Sequence, residues 1–283
     1  MSEAISNNAS INDGDVVANR IDFLVYVSSK NGNPNGDPDN GNAPRFDTAT
    51  GKGVITDAAL KSRIRQAVKL IYGERIMIDK ENESIANAVG KVNGGNDKAD
   101  ALAQHYWDIR AFGAVLGKSG NPINGPVQIS MGTSIDKISI NEMSTTRCIP
   151  NDVKENKNGV KESNSQFADK AYQTYGLYRF SGEINPFKAQ KTGFTNDDVK
   201  KLFEGINQSY TLWTSAQKGE TETVKIIIFK HNNPLGCAKK NVLFGCVSAK
   251  LRDGIEVPTD YSDYEITVDE SKIPAGVTVE VID

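Results

Sequence analysis

Residues 56–73 read Thr-Asp-Ala-Ala-Leu-Lys-Ser-Arg-Ile-Arg-Gln-Ala-Val-Lys-Leu-Ile-Tyr-Gly, and the fold is read outward from this stretch. Thr56 offers an N-cap and Asp57 an acidic first turn. Leu60, Ile64, Ala67, Val68 and Ile71 recur at three- and four-residue spacing, which predicts an amphipathic helix stopped at Gly73. Upstream, residues 21–27 (Ile-Asp-Phe-Leu-Val-Tyr-Val) are apolar and rich in β-formers, so they predict a buried strand. Downstream, residues 111–116 and 126–131 read as strands separated by a Gly/Asn/Pro turn, and residues 175–184 alternate like a strand. Thr195-Asn-Asp-Asp198 caps a second helix, whose apolar face is expected to include Val199, Leu202, Phe203, Ile206, Tyr210 and Trp213. Residues 224–229 (Val-Lys-Ile-Ile-Ile-Phe) add a strongly apolar strand. The order is strand, helix, strand, strand, helix, strand. That predicts an α+β fold of the ferredoxin-like βαββαβ kind also used by RNA-recognition (RRM-like) modules.

Polar segments divide the rest. Residues 1–20 lack any sustained period and read as a flexible leader. Residues 74–108 read as an insertion with short helices, one of them near residues 99–107. Residues 141–170 read as a protruding loop or hairpin. Residues 21–73, 109–140 and 171–250 are then the parts of the central unit. In the tail, 251–283, the alternating stretches 264–268 and 277–282 flank Pro274-Ala-Gly276 and predict a small hairpin.

Net charge is −3, with 33 Lys plus Arg against 36 Asp plus Glu. The total speaks against a generic nucleic-acid binder, which carries an excess of basic groups. Its distribution speaks otherwise. The tail holds two basic and nine acidic residues, a net of −7, and leaves residues 1–250 at +4. The basic groups are expected to gather in a groove away from the acidic tail. No apolar run approaches the roughly 20 residues of a membrane helix. The Asn/Ser/Ala-rich start lacks a hydrophobic signal segment, and Cys148, Cys237 and Cys246 form no disulfide framework. A cytoplasmic protein with no membrane contact is expected.

Lys61, Arg65 and Lys69 lie four apart and, with Arg63, make a cationic stripe beside the helix's apolar face. No acid falls between Ala58 and Gly73. The stripe reads either as a solvated face or as a track for backbone phosphates. Residues 31–42 (Asn-Gly-Asn-Pro-Asn-Gly-Asp-Pro-Asp-Asn-Gly-Asn) mix turn-formers densely enough to forbid regular structure. The calcium-loop pattern fails there, because a frame starting at Asn35 puts Asn40 at position six and Phe46 at position twelve. Gly51-Lys-Gly53 does not supply a phosphate-gripping Gly-Lys-Ser/Thr, so no cofactor is expected. What remains is a plain flexible loop or a backbone-rich surface that approaches a ligand closely. Asp37 and Asp39 could hold a divalent metal, which keeps a metal-dependent endoribonuclease as the alternative function. His105 and His231 are the two histidines, and His231, Cys237 and Cys246 lack paired metal-ligand spacing. Tyr172, Tyr175, Tyr178 and Phe180 could stack bases or pack in the core.

Several strings together resemble one family. They are Gly32-Asn-Pro-Asn-Gly-Asp-Pro38, Pro44-Arg45, Thr56-Asp57 with Leu60-Lys61 and Ile64-Arg65, and Ile109-Arg-Ala-Phe-Gly-Ala114. Gly125-Pro-Val-Gln128, Tyr175-Gly-Leu-Tyr-Arg179, Lys191-Thr-Gly-Phe194 and Phe229-Lys-His231 complete the set. The chain resembles the backbone subunit of type I-C CRISPR surveillance complexes (Cascade), within the RAMP superfamily; type I-B backbone subunits are similar. The resemblance implies a right-hand shape with an RRM-like palm, fingers at 74–108 and a thumb at 141–170. It implies a non-enzymatic subunit that polymerises with copies of itself along a CRISPR RNA (crRNA). The implied partners are the target DNA strand and the handle-binding, large and small Cascade subunits. Carried over by position, Lys61, Arg63 and Arg65 meet RNA phosphates, Lys69 continues their track, and Arg45 lies in the loop before the helix. Asn33 and Asn35 belong to the loop that follows RNA without reading bases. Gln128 and Arg147 fall at the palm edge and the thumb base. Such a subunit must accept any guide, so sequence reading is left to base pairing.

Overall fold

Strand β1 (Ile21–Gly32) is the axis around which the chain is built. After it come β2 (Gly36–Asp37), β3 (Ala43–Pro44), β4 (Lys52–Ile55) and α1 (Asp57–Tyr72). Short helices α2 (Ile85–Gly90), α3 (Lys98–His105) and α4 (Trp107–Phe112) follow. Then come β5 (Gly113–Ala114), β6 (Ile123–Asn124), β7 (Val127–Ile129), β8 (Gly132–Lys137), β9 (Ile140–Thr146), β10 (Val153–Glu155), β11 (Lys161–Ser163) and β12 (Phe167–Ile184). The remainder is α5 (Pro186–Thr192), α6 (Asn196–Asn207), β13 (Glu220–His231), α7 (Lys240–Gly245), β14 (Val247–Leu251), β15 (Tyr264–Val268) and β16 (Val277–Ile282). The structure is a computed structural model and describes residues 14–93, 98–146, 153–155, 161–163 and 167–283.

The fold is mixed α/β with a central antiparallel sheet. Its strand order is β16-β13-β1-β12-β8-β4, with β7 and β9 also pairing along β12. β1 lies between β12 and β13, with Val25 opposite Phe180 on one side and Ile226 on the other. Both its faces are covered, which is why its sequence reads as a continuous apolar run. Phe23, Val25 and Val27 pack with Leu60, Ile64 and Val68 of α1 and Leu202, Phe203 and Ile206 of α6. Leu24 and Tyr26 face the other way, onto Leu177, Ile227 and Phe229, and Leu243, Val247, Tyr264 and Val277 close that side. A third cluster, including Met77, Val89, Leu102, Tyr106 and Ile109, centres the short helices.

Local signals set the two long helices. Thr56 accepts a hydrogen bond from the Ala59 N–H at 3.2 Å, and Gly73 ends α1 at φ 69°. Thr195 and Asp198 form a reciprocal capping box on α6. Gly205 of α6 has no room for a side chain, since a Cβ there would lie 2.6 Å from a Val68 methyl carbon. The two helices can therefore approach closely.

Four expectations are corrected. The expected strand at 111–116 begins inside a helix, since residues 107–112 are α4 and only Gly113–Ala114 pairs as a strand. A helix places residues two apart on nearly opposite sides. It sends Asp108 toward Arg65 of α1, and Arg110 toward Asp198 at the start of α6. Residues 31–42 are ordered as a small ribbon, β2 against β3, closed by Gly41 and Asn42 at positive φ. The tail strands do not pair with each other: β15 pairs with β14, and β16 covers the free edge of β13. Finally, α6 ends at Asn207, so Trp213 stands in a later turn and is 39% exposed.

Candidate nucleic-acid interface

The β2–β3 ribbon is fastened to the start of α1. Asn35 Oδ1 accepts from the Thr56 N–H at 2.8 Å. The Asn33 amide donates to the Asn42 carbonyl at 2.6 Å, while its buried Oδ1 has no partner among the described residues. Arg45 donates to the Gly36 carbonyl at 3.2 Å and lies 3.3 Å from Asp37. These bonds turn a glycine- and asparagine-rich sequence into a fixed surface.

The α1 cations do not form one stripe. Lys61 pairs with Asp57 one turn earlier, at 3.1 Å. Lys69 meets Glu81 at 2.7 Å and Asp79 at 3.2 Å, and the hydrogen bond to Glu81 is the main cause holding its ammonium above the ordinary range. Arg65 is buried at 8% exposure, 3.0 Å from the fully buried Asp108. The same carboxylate accepts the Met77 and Ile78 N–H groups at 2.7 and 3.1 Å. Arg65 also lies 5.2 Å from the centre of the Phe112 ring. These contacts tie Arg65 into the fold. Asp57 at the head of the helix, and Asp79, Glu81 and Asp108 beyond it, engage three of the four cations, a pairing that the acid-free run 58–73 concealed.

Arg63 is different: it makes no hydrogen bond or ion pair with a described residue and lines a cleft of about 870 Å³. Asn35 of the ribbon and Gln66 of α1 share that cleft, and so do Tyr210, Trp213 and Lys218 from the turn before β13. The Lys218 ammonium donates to the Pro34 carbonyl at 2.9 Å. Burial first, and then the Arg63 guanidinium, lower it from its ordinary value. Burial pushes the Tyr210 hydroxyl up, and that hydroxyl has no hydrogen-bond partner among the described residues. Asp79, Glu81 and Glu83 line the far end, where the first two hold Lys69 and Glu83 accepts from Asn87. No residue after 250 lines the cleft. The acidic tail instead meets lysines of its own chain: Lys30 with Asp260, Lys225 with Asp283, Lys230 with Glu280 and Lys250 with Glu265.

Sequence reading missed Lys218, Trp213 and Tyr210 as cleft residues. Their nearness depends on Gly32, where a Cβ would fall 2.8 Å from the Gly219 nitrogen. The bare glycine lets the 218–219 backbone pack against the end of β1, beside Pro34. Gln128 lies elsewhere, in β7, with its amide on the Gly125 carbonyl at 3.1 Å. Arg147 lies outside the described residues.

Other chemical readings gain little. Asp37 is engaged by Arg45 and by the Asp39 N–H. Among the described residues no three His, Cys, Asp or Glu side chains gather as a metal site. His231 accepts the Cys237 N–H on Nδ1 at 2.8 Å and faces Asp22 through Nε2 at 3.0 Å. The Cys237 thiol points to Asn232 Oδ1 at 3.0 Å, so this grouping is a clamp with no nucleophile poised on the imidazole. His105 lies 3.2 Å from Arg75. Tyr175, Tyr178 and Phe180 are buried core residues. No helix among the described residues is long and apolar enough to cross a membrane.

The chain is similar to known proteins. A curated relative from Haloferax volcanii, named CRISPR-associated protein Cas7, is 28% identical over 217 residues. The aligned region covers 65% of this chain and 62% of that protein, so the chain spans under two thirds of the relative's length. Two chains from solved structures align with part of it. One comes from a "CRISPR RNA-guided surveillance complex, pre-nicking", with TM-score 0.49 and 11% identity over 74% of this chain and 78% of the other. The second comes from a "CRISPR RNA-guided surveillance complex", with TM-score 0.45 and 15% identity over 74% and 68%. The family model described as CRISPR-associated protein Cas7 matches residues 19–269, from the start of β1 to the end of β15, and on that match the chain belongs to the Cas7 family.

Proposed function

We propose that this protein is a non-enzymatic backbone subunit that binds crRNA in a Cascade surveillance complex of type I-C. The family match over residues 19–269 carries the reading. The cleft supports it: an unpaired Arg63 and a half-buried Lys218 stand beside the Asn35 ribbon. Backbone-facing cations and fixed amides suit a strand held by its phosphates, independent of base identity.

The sheet order supports an RRM-like palm. With β7 and β8 together as the second strand, the order β13-β1-β12-β8 is the 4-1-3-2 pattern of a ferredoxin-like sheet, with α1 and α6 on one face. Residues 74–108 would be the fingers and 141–170 the thumb. Further copies of the chain would line up along one guide, beside the handle-binding, large and small subunits. The paired guide would recognise a target DNA strand in the cytoplasm, with cleavage left to a separate enzyme.

The test is binding to guide-length RNAs of unrelated sequence across a salt series. Affinities should agree across sequences, and log affinity should fall linearly with log salt by about 0.7 per phosphate contact. Affinity confined to one sequence, or no binding at low salt, would refute the reading.

A further inference from the structure

We propose that the face of the sheet turned away from α1 and α6 carries an oxyanion site, in which Arg179 and Lys52, with the Thr133 and Ser181 hydroxyls beside them, hold the phosphate group of a nucleotide. The site lies apart from the Arg63 cleft and does not depend on the RNA reading above.

Strand register brings the donors together. Tyr26 of β1, Arg179 of β12 and Thr133 of β8 stand opposite one another in one row across three strands. Directly opposite side chains lie about 5 Å apart at Cβ. Alternation puts all three on the face of Leu24, Leu177 and Ile135, the side closed by α7, β14 and β15. Ser181, two residues on from Arg179, shares that face, and its Oγ lies 2.9 Å from Ser130 Oγ. Lys52 joins from β4, where the Gly53 N–H donates to Ser134 Oγ at 2.9 Å, next to Thr133. Lys52, Ser130, Thr133, Arg179 and Ser181 line one cavity of about 470 Å³.

Among the described residues no acid lines that cavity or pairs with Arg179 or Lys52. The next strand differs: Lys225 of β13, opposite Tyr26, is answered by Asp283, and Lys230 by Glu280. Lys52 instead stands opposite Lys137, and like charges facing across strands repel. The polar group beside Arg179 is the Tyr26 hydroxyl, buried without a hydrogen-bond partner among the described residues. Burial raises that hydroxyl above its ordinary value, and the nearby guanidinium offsets part of the rise. Arg179 is thus placed but not neutralised. Its fork, an ammonium and two hydroxyls approach from three strands, a donor set that suits a tetrahedral oxyanion. The cavity is larger than a phosphate, and Leu24 and Phe244 on its wall leave an apolar place for the attached nucleoside.

The experiment uses the full chain freed of nucleic acid and follows the Arg179 Nε–H resonance, assigned by its absence in Arg179→Gln. Inorganic phosphate, a nucleoside monophosphate and single-stranded RNA of mixed sequence are the probes, and sodium chloride at matched ionic strength is the control. Phosphate should move the resonance saturably, and the monophosphate should do so at lower concentration. Lys52→Gln should weaken monophosphate binding about tenfold, and Thr133→Val about threefold. All three variants should melt like the wild type in plain buffer, since none loses an ion pair. An RNA response weaker than the monophosphate's, per phosphate group, assigns the site to free nucleotides, and a stronger one assigns it to a nucleic-acid strand.

No saturable movement of the Arg179 resonance would overturn the site, and so would an equal response to chloride. K52Q and T133V variants that both bind the monophosphate like the wild type would break the grouping of these residues. An unmoved resonance in a protein that still binds RNA would remove this site and leave the RNA reading intact. A phosphate response in a protein that binds no RNA would keep the site and remove that reading.

Discussion

Arg63 and Arg65 are neighbours on one helix, and the proposed function gives them opposite roles that a pair of substitutions can separate. Arg65→Met removes a buried guanidinium 3.0 Å from Asp108 and keeps most of the side-chain volume. Breaking a buried pair on one side costs about 3–5 kcal/mol. The Met77 and Ile78 N–H groups still bind Asp108, which points to the lower end, about 3 kcal/mol. For a chain of this size each kcal/mol moves the melting temperature by roughly 2–4 °C, so a fall of about 6–12 °C is expected. RNA affinity, measured well below that temperature, should stay within about twofold, with the salt slope unchanged. Arg63→Ala should reverse the pattern: no loss of melting temperature, about tenfold weaker RNA binding and a slope lower by about 0.7. Thermal melts and a salt titration of both variants decide the matter. If R65M melts like the wild type yet loses RNA affinity and salt slope, Arg65 is a phosphate contact and its assignment as a fold-holding residue is wrong.

Three further outcomes follow from the packing. Thr56→Ala removes the α1 N-cap and should cost about 1 kcal/mol in urea denaturation, and a neutral effect would refute the capping role. Gly205→Val forces a side chain against Val68 and should destabilise by about 1–3 kcal/mol, whereas a stabilised variant would contradict the close helix approach. Burial alone would raise the Asp79 carboxyl, but the Glu81 N–H, the Gln66 amide and Lys69 outweigh it and hold it below its ordinary 3.8. Its stabilising contribution is therefore present above about pH 3.8 and lost as pH falls through the lower folded value. Asp79→Asn should be less stable than the wild type at pH 7, with a gap that narrows as pH falls below 3.8; a gap that stays constant through acid would refute the linkage.

The sequence disclosed what local signals determine. β1, α1 and α6 were legible because apolar periodicity and capping residues act within one or two turns. Residues 111–116, where α4 ends, misled because a short apolar run fits a strand as well as a buried helix. What made α4 a helix was its pair of distant partners, Asp108 with Arg65 43 residues away and Arg110 with Asp198 88 residues away. The cationic stripe looked uncompensated for a related reason, since the acids on Arg65 and Lys69 arrive from other elements. The cleft was hidden further still: Lys218 reaches Pro34 across 184 residues, through a close backbone approach at Gly32 that no periodicity announces. The charge asymmetry was real, but tail acids on Lys30, Lys225, Lys230 and Lys250 show that much of it is settled within the chain.

The most direct test of the central claim is what nucleic acid the protein carries when purified at low salt from cells that also express a CRISPR array. The account predicts bound RNA of one uniform length, recovered as a single gel band whose sequences match the array's guides. Protein free of nucleic acid, or carrying RNA of random length and origin, would contradict it.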